Sequence, residues 1–342
     1  MHAINTDESF DLVIHRVGNS GRQESLYLSK TLTFYDPELT EPLYGFFLKP
    51  FKTDEYFQFT EREENPVFHA VKNIFEDPTQ LLSNSESIAS QLYSVSGNPK
   101  TPGGTLLVVF FPDAVMEGEH TKVIGIFKID DKNPLIKAFP AENNYSLNLE
   151  TALLLDKMDK GCLIFNQDEE NGFTISSFDK GKGEDFGIWA DEFLKIRQRE
   201  DEFYDTENVL NLCRSYVMDQ MPEEFEVNRV DQADLLNKSV DFFKENETFR
   251  IDDFTDHVLQ QEELKQSFEN YKQRYEDVYE TEVSKQFDIS KGAVKKNARF
   301  FKSIIKLDKN FHIYVHGNRN MIEQGTDEQG KKYYKLYYDS EN

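Results

Sequence analysis

The chain has 342 residues, 38% of them hydrophobic and 13% aromatic, enough for two domains and at least one substantial core. Its 39 Lys and Arg face 63 Asp and Glu, a formal charge of -24 that excludes a basic protein coating nucleic acid with its whole surface. A local anion site stays open, because salt limits the reach of each charge to about 8–10 Å.

The opening MHAINTDESF is polar and acidic, so no signal peptide is expected. Phe10–Arg16 and Glu24–Leu28 fit a hairpin around Gly18–Gly21. From Pro66 to Tyr93 the period becomes helical, with Val67, Val71, Ile74 and Phe75, then Ile88 and Leu92 after the Asp77-Pro78 break. Gly103-Gly104 opens TLLVVFF, and KVIGIFKI (Lys122–Ile129) follows as a neighbouring buried strand. Ala152–Leu155, Gly161–Phe165 and Gly172–Ser177 read as three more strands. The longest apolar run, Leu106–Phe111, has a strand's length and cannot span a bilayer.

From Glu184 the pattern turns helical. Trp189, Phe193 and Ile196 share a face, as do Val209, Leu212, Tyr216 and Val217. A further helix begins at Asp231 with Leu236, Val240 and Phe243 as its stripe, and Phe268, Tyr271, Tyr275 and Val278 mark another. Tyr333–Tyr338 (YYKLYY) returns to strand after Gly330. The fold class is therefore α+β: an N-terminal antiparallel-rich sheet with flanking helices, then a helical region and a small C-terminal β-containing module. The boundary is soft and dividing it near 182 gives 1–182 as an α+β domain and 183–342 as a helical region with a basic helix and β-hairpins. Cys162 and Cys213 lie far apart without metal-ligand spacing, and read as buried reduced thiols of a soluble cytoplasmic protein.

Charge is distributed unevenly. Residues 285–319 hold nine Lys/Arg against two acids, and residues 285–342 hold 12 against seven, so residues 1–284 carry -29. Ser290 can cap a helix beginning at Lys291. Were that helix to reach Lys306, Lys291, Lys295, Arg299, Lys302 and Lys306 would line one stripe about 80° wide at about 100° per residue, with Val294, Ala298, Phe301 and Ile305 filling an apolar face beside it. The competing reading of FFKSIIKLDKNFHIYVHG is a hairpin turning at Asp308–Asn310, which shortens the helix to Lys291–Asn297 and loosens the patch. Such a charge run is either an ordinary solvated face or a site for nucleic acid or an acidic partner.

Other motifs favour structure over chemistry. His312 and His316 stand about 13 Å apart if they share a strand face, too far to hold one ion. Gly181, Gly183 and Gly187 fit neither phosphate-loop spacing and read as a connector. Asp156, Asp159 and Lys160 are the nearest approach to a nuclease-like metal site, and fit a charged hairpin turn better. No nucleophile motif is present, and no enzyme or cofactor is expected.

The segments LVIHRV with SLYLS, LDKMDKGCLIF, WADEFLKIRQREDEFYDT, DQADLLNKSVDFFKENETF and FDISKGAVKK...KSIIKLDKNFHIYVHG resemble, in that order, the 37-kilodalton nucleoid-associated bacterial proteins of the NdpA/YejK type. The similarity covers roughly residues 8–338 and rests on segment order, because the family has no short diagnostic motif. It implies a cytoplasmic protein of the nucleoid that binds DNA, double- or single-stranded, with no catalytic residues. Two functions follow as expectations. One is direct, non-specific DNA binding with Lys291, Lys295, Lys296, Arg299, Lys302 and Lys306 on phosphates. The other is an acidic adaptor that docks on basic DNA-handling proteins. A metal-dependent nuclease is the weaker third.

Overall fold

The computed structural model describes residues 2–4, 9–99, 101–116, 118–130, 134–142, 144–155, 157–181, 187–301, 303–307, 309–315, 321–338 and 340. The chain divides into two compact units, Met1–Arg199 and Glu200–Asn342.

The first unit is built on an antiparallel sheet of β1 (His2–Ile4), β2 (Asp11–Val17), β3 (Leu26–Tyr27), β4 (Phe57–Phe59), β5 (Gly104–Met116), β6 (Glu119–Asp130), β9 (Lys160–Phe165), β10 (Thr174–Asp179) and β11 (Ile196–Gln198). Between β6 and β9 the chain forms a separate hairpin, β7 (Pro134–Ala141) with β8 (Asn144–Thr151). The strand order is β11-β4-β10-β9-β6-β5-β2-β3, with β1 also on β5. The register of β5 on β6 shifts between Phe111 and Ala114, where Pro112 has no N–H to give the ladder.

Helices cover both faces of this sheet. α2 (Pro66–Glu76) and α3 (Leu81–Val95) pack on Val13, Leu106, Val108, Ile124, Ile126, Cys162 and Ile164. α1 (Thr40–Leu48) packs Tyr44, Phe46 and Phe47 on Leu107, Val109, Phe111, Phe127, Leu163 and Phe165. Burial on both faces explains why TLLVVFF and KVIGIFKI are continuous apolar runs rather than alternating ones. Asn65 caps α2 by accepting the Val67 and Phe68 N–H groups, and Pro66 fills the first helical position, where no donor is needed. Gly172, at φ +104, brings its Cα so close to Phe59 that an added Cβ would meet the Phe59 carbonyl oxygen at 2.4 Å.

Two elements differ from expectation here. Ala152–Leu155 is not a strand; the strands lie earlier, in β7 and β8, whose Pro134 and Pro140 disguise them. Trp189 and Phe193 sit in a single π-helical turn, Ile188–Leu194, which Lys195 ends at φ 53. Ile196 therefore enters β11, paired with Phe59, and all three side chains belong to the core of the first unit.

The second unit is helical. It comprises α4 (Glu202–Ser215), α5 (Met221–Glu224), α6 (Arg229–Glu245), α7 (Ile251–Phe254), α8 (Glu262–Tyr279) and α9 (Lys291–Asn297), with β12 (Thr248–Arg250) paired to β13 (Gln286–Asp288). Two hairpins follow, β14 (Ser303–Leu307) with β15 (Phe311–Val315) and β16 (Ile322–Thr326) with β17 (Lys332–Leu336). A capping box starts α6: Asn228 accepts the Val230 and Asp231 N–H groups, and Asp231 accepts the Asn228 N–H. Leu236, Val240 and Phe243 are buried as the spacing predicts, around a core of Tyr216, Phe249, Phe254 and Phe268. Val278 departs from its expected stripe and is 73% exposed, because the buried positions of α8 are Leu264, Ser267, Phe268 and Lys272. Among the described residues, no helix is long and apolar enough to cross a membrane.

Candidate nucleic-acid interface

The basic segment folds as a short helix and a hairpin. Ser290 accepts the Ala293 N–H at 3.3 Å and opens α9, and its own N–H donates to the buried Thr206 hydroxyl at 3.0 Å. A 3-10 turn, Ala298–Phe301, ends the helix and buries Phe301. The leading hairpin then pairs Leu307 with Phe311. Since the chain leaves the helix after Asn297, the long basic stripe does not form. Lys291 and Lys295 remain one turn apart on α9.

The six candidate cations have different surroundings. Lys291 Nζ lies 2.8 Å from Glu247, and both side chains are exposed. That lysine's hydrogen bond and charge hold the Glu247 carboxyl below the ordinary carboxylate range. Lys296 is tied down harder: it lies 3.0 Å from Glu207 on α4 and 5.4 Å from the Phe203 ring centroid. Glu207 also accepts from the buried Asn297 amide at 3.1 Å, so Lys296 and Asn297 together fasten α9 to α4. Lys295 is exposed and makes no ion pair among the described residues. Arg299 is exposed as well, its guanidinium 4.6 Å from the Phe300 ring centroid. Lys302 lies outside the described residues. Lys306 is placed by its backbone alone, in register with His312.

Beyond α9, the hairpins add a feature that charge counting passed over. Ile305 and Ile322 form a small core with Val230, backed by Leu307, Ile313 and Tyr334. The opposite side of β17 is set by strand alternation: Tyr333, Lys335 and Tyr337 follow at two-residue steps. Tyr333 lies across Gly325, where an added Cβ would meet its ring at 2.4 Å. Lys335 Nζ stands 4.8 Å from the Tyr337 ring centroid. Phe300, Phe311, Tyr314, Tyr333, Tyr337 and Tyr338 are all exposed, and so are Lys309, Lys331 and Lys332 in the same hairpins. Exposed rings interleaved with cations are the surface chemistry of stacking and phosphate contact. The signal was present in YYKLYY, whose six residues are too aromatic for a solvated strand.

Of the nuclease-like candidates, Asp159 and Lys160 are occupied structurally. Asp156 lies outside the described residues. The Asp159 carboxylate accepts the Asp130 N–H at 2.9 Å, and Lys160 Nζ lies 2.9 Å from Asp179. His316 and Gly183 also lie outside the described residues. Among the described residues, no three His, Cys, Asp or Glu come together as a metal cage. Cys162 and Cys213 are free and buried, and burial pushes both thiols well above their ordinary range.

No curated protein matches the chain. The sequence profile of the family described as nucleoid-associated protein YejK matches residues 13–331, from β2 to the turn before β17, and the chain belongs to that nucleoid-associated family.

Proposed function

We propose that this nucleoid-associated chain binds DNA directly, without base specificity and without chemistry, through the C-terminal end of its second unit. The observation that carries this reading is the exposure of Lys295 and Arg299 without carboxylate partners among the described residues, next to hairpins with exposed aromatic rings and lysines. Lys291 and Lys296 are the costlier contacts, because each must leave a glutamate before it can meet a phosphate. Lys295, Arg299, Lys302 and Lys306 then make four contacts, for a log K against log salt slope near -3.6 at about 0.9 per phosphate.

The acidic remainder gives a second reading some weight. Residues 1–284 carry -29, a field that repels a phosphate backbone and attracts basic proteins. In that reading the chain is an adaptor on basic DNA-handling proteins, and its link to the nucleoid is indirect. A gel shift with the purified chain separates the two. Retardation of a duplex near 50 mM salt that weakens steeply on salt addition supports direct binding, and no retardation at that salt leaves the adaptor.

A further inference from the structure

The hairpin of β7 and β8 leaves the main sheet between two of its central strands and, among the described residues, is a two-stranded sheet of its own. At about 3.3 Å per residue, eight-residue strands make an arm roughly 26 Å long. Cross-strand partners share a face, so Ile136 with Leu149, Ala138 with Leu147, and Pro140 with Tyr145 form one side of it. Among the described side chains that side has no polar group except the Tyr145 hydroxyl, and it lies open: Ile136 is 70% exposed, Tyr145 71%, Leu147 70% and Leu149 75%. The other side is mixed, with Lys137 beside Asn148, Phe139 beside Ser146, and Ala141 beside Asn144. An isolated two-stranded hairpin is marginal in water, and an apolar face of this size on one adds the cost of wetting it.

We infer that this arm is a dimerisation element, and that its apolar face packs against the same face of a second copy of the chain. Three observations select that occupant. The face carries no charge, so it has nothing with which to choose a partner of different chemistry, while homodimer interfaces are the more apolar class. A two-fold axis needs only a self-complementary patch, and an uncharged row of Ile, Leu, Ala, Pro and Tyr can serve as one. Ile136, Tyr145, Leu147 and Leu149, each 70% exposed or more, offer roughly 600 Å² per copy, about 1,200 Å² for the pair when fully covered, the low end of the ~1,200–2,000 Å² of stable interfaces. Electrostatics points the same way. Residues 134–151 hold one Lys and two Glu in a chain of charge -24, so the arm lets two acidic bodies associate through their least charged segment.

The test is the mass of the full chain in solution, by light scattering behind a sizing column and by sedimentation at micromolar concentration. The expected mass is twice the 40.0 kDa of one chain. Ile136→Glu with Leu149→Glu should give the single-chain mass with an unchanged circular dichroism spectrum, since both positions are exposed in one copy. Lys137→Glu, on the opposite side, should leave the dimer intact. Should the Glu variant fail to fold, Leu147→Thr with Leu149→Thr keeps strand preference and should raise the dimer Kd at least about 100-fold. A wild-type chain that runs at single mass overturns the inference, as does a dimer that survives both double substitutions. DNA binding is not read in this experiment, so its failure leaves this conclusion standing, and the converse holds.

Discussion

Lys160 of β9 should be worth about 3 kcal/mol to the first unit, and its loss should be repaired by removing its partner. Its Nζ reaches both carboxylate oxygens of Asp179, at 2.9 and 3.1 Å, and it is 4% exposed. On the next strand Lys128, its cross-strand neighbour, lies 2.5 Å from Asp130 and donates to the Pro102 carbonyl at 3.0 Å. Lys160→Met leaves the largely buried Asp179 charge with the Gly181 N–H as its remaining described donor. Removing one partner of a buried pair costs about 3–5 kcal/mol, and the slight exposure of Asp179 places this case at the low end. Lys160→Met with Asp179→Leu replaces the pair by apolar groups and should return to within about 1 kcal/mol of the wild type. Urea unfolding followed by the fluorescence of Trp189, the chain's one tryptophan and a core residue of the first unit, reports this unit alone. A single-variant loss under about 1 kcal/mol, or a double variant no better than the single, would refute the assignment of Lys160 to structure. It would also return Asp159 and Lys160 to consideration as reactive groups.

Other consequences are as definite. His15 accepts the Ser29 N–H on Nδ1 at 3.1 Å and donates from Nε2 to Ser85 at 2.9 Å, so it is buried neutral; burial holds it below the ordinary 6.5, with Glu86 opposing and Lys30 reinforcing. Its contribution is present above pH 6.5 and is lost as pH falls through the folded value, at up to about 1.4 kcal/mol per pH unit; His15→Gln should remove that segment of the stability–pH curve, and an unchanged curve contradicts the neutral tautomer. Cys162 and Cys213 should react with a thiol reagent only after denaturant is added, and fast labelling of the native chain would disprove their burial. Lys296→Gln should cost about 1 kcal/mol in the second unit, whereas Lys295→Gln should stay within about 0.5 kcal/mol, both by urea unfolding followed by circular dichroism.

Much of the fold is legible where local rules and burial agree. The β2–β3 hairpin, α2, α3, β5, β6, β9, β10 and the short α9 follow from apolar period, caps and turn residues. Fully buried strands declare themselves because both faces are covered. What escapes is set by long-range partners: β4 and β11 are three-residue strands made by pairing Phe57–Phe59 with Ile196–Gln198, 137 or more residues away along the chain. The β7–β8 arm escapes because no burial marks it. At the candidate site the helix length and hairpin turn can be read from LDKN, but ion pairing cannot. Glu207 and Glu247 lie far from Lys296 and Lys291 in sequence, and only the packing of α9 brings them together.

The central claim is phosphate contact by Lys295 and Arg299, and the salt dependence of DNA affinity tests it most directly. Anisotropy of a labelled duplex across about 50–200 mM salt should give a slope near -3.6 for the wild type and near -1.8 for Lys295→Gln with Arg299→Gln, at about 0.9 per contact. Equal slopes for the two proteins, or no binding by either at the lowest salt, would contradict it.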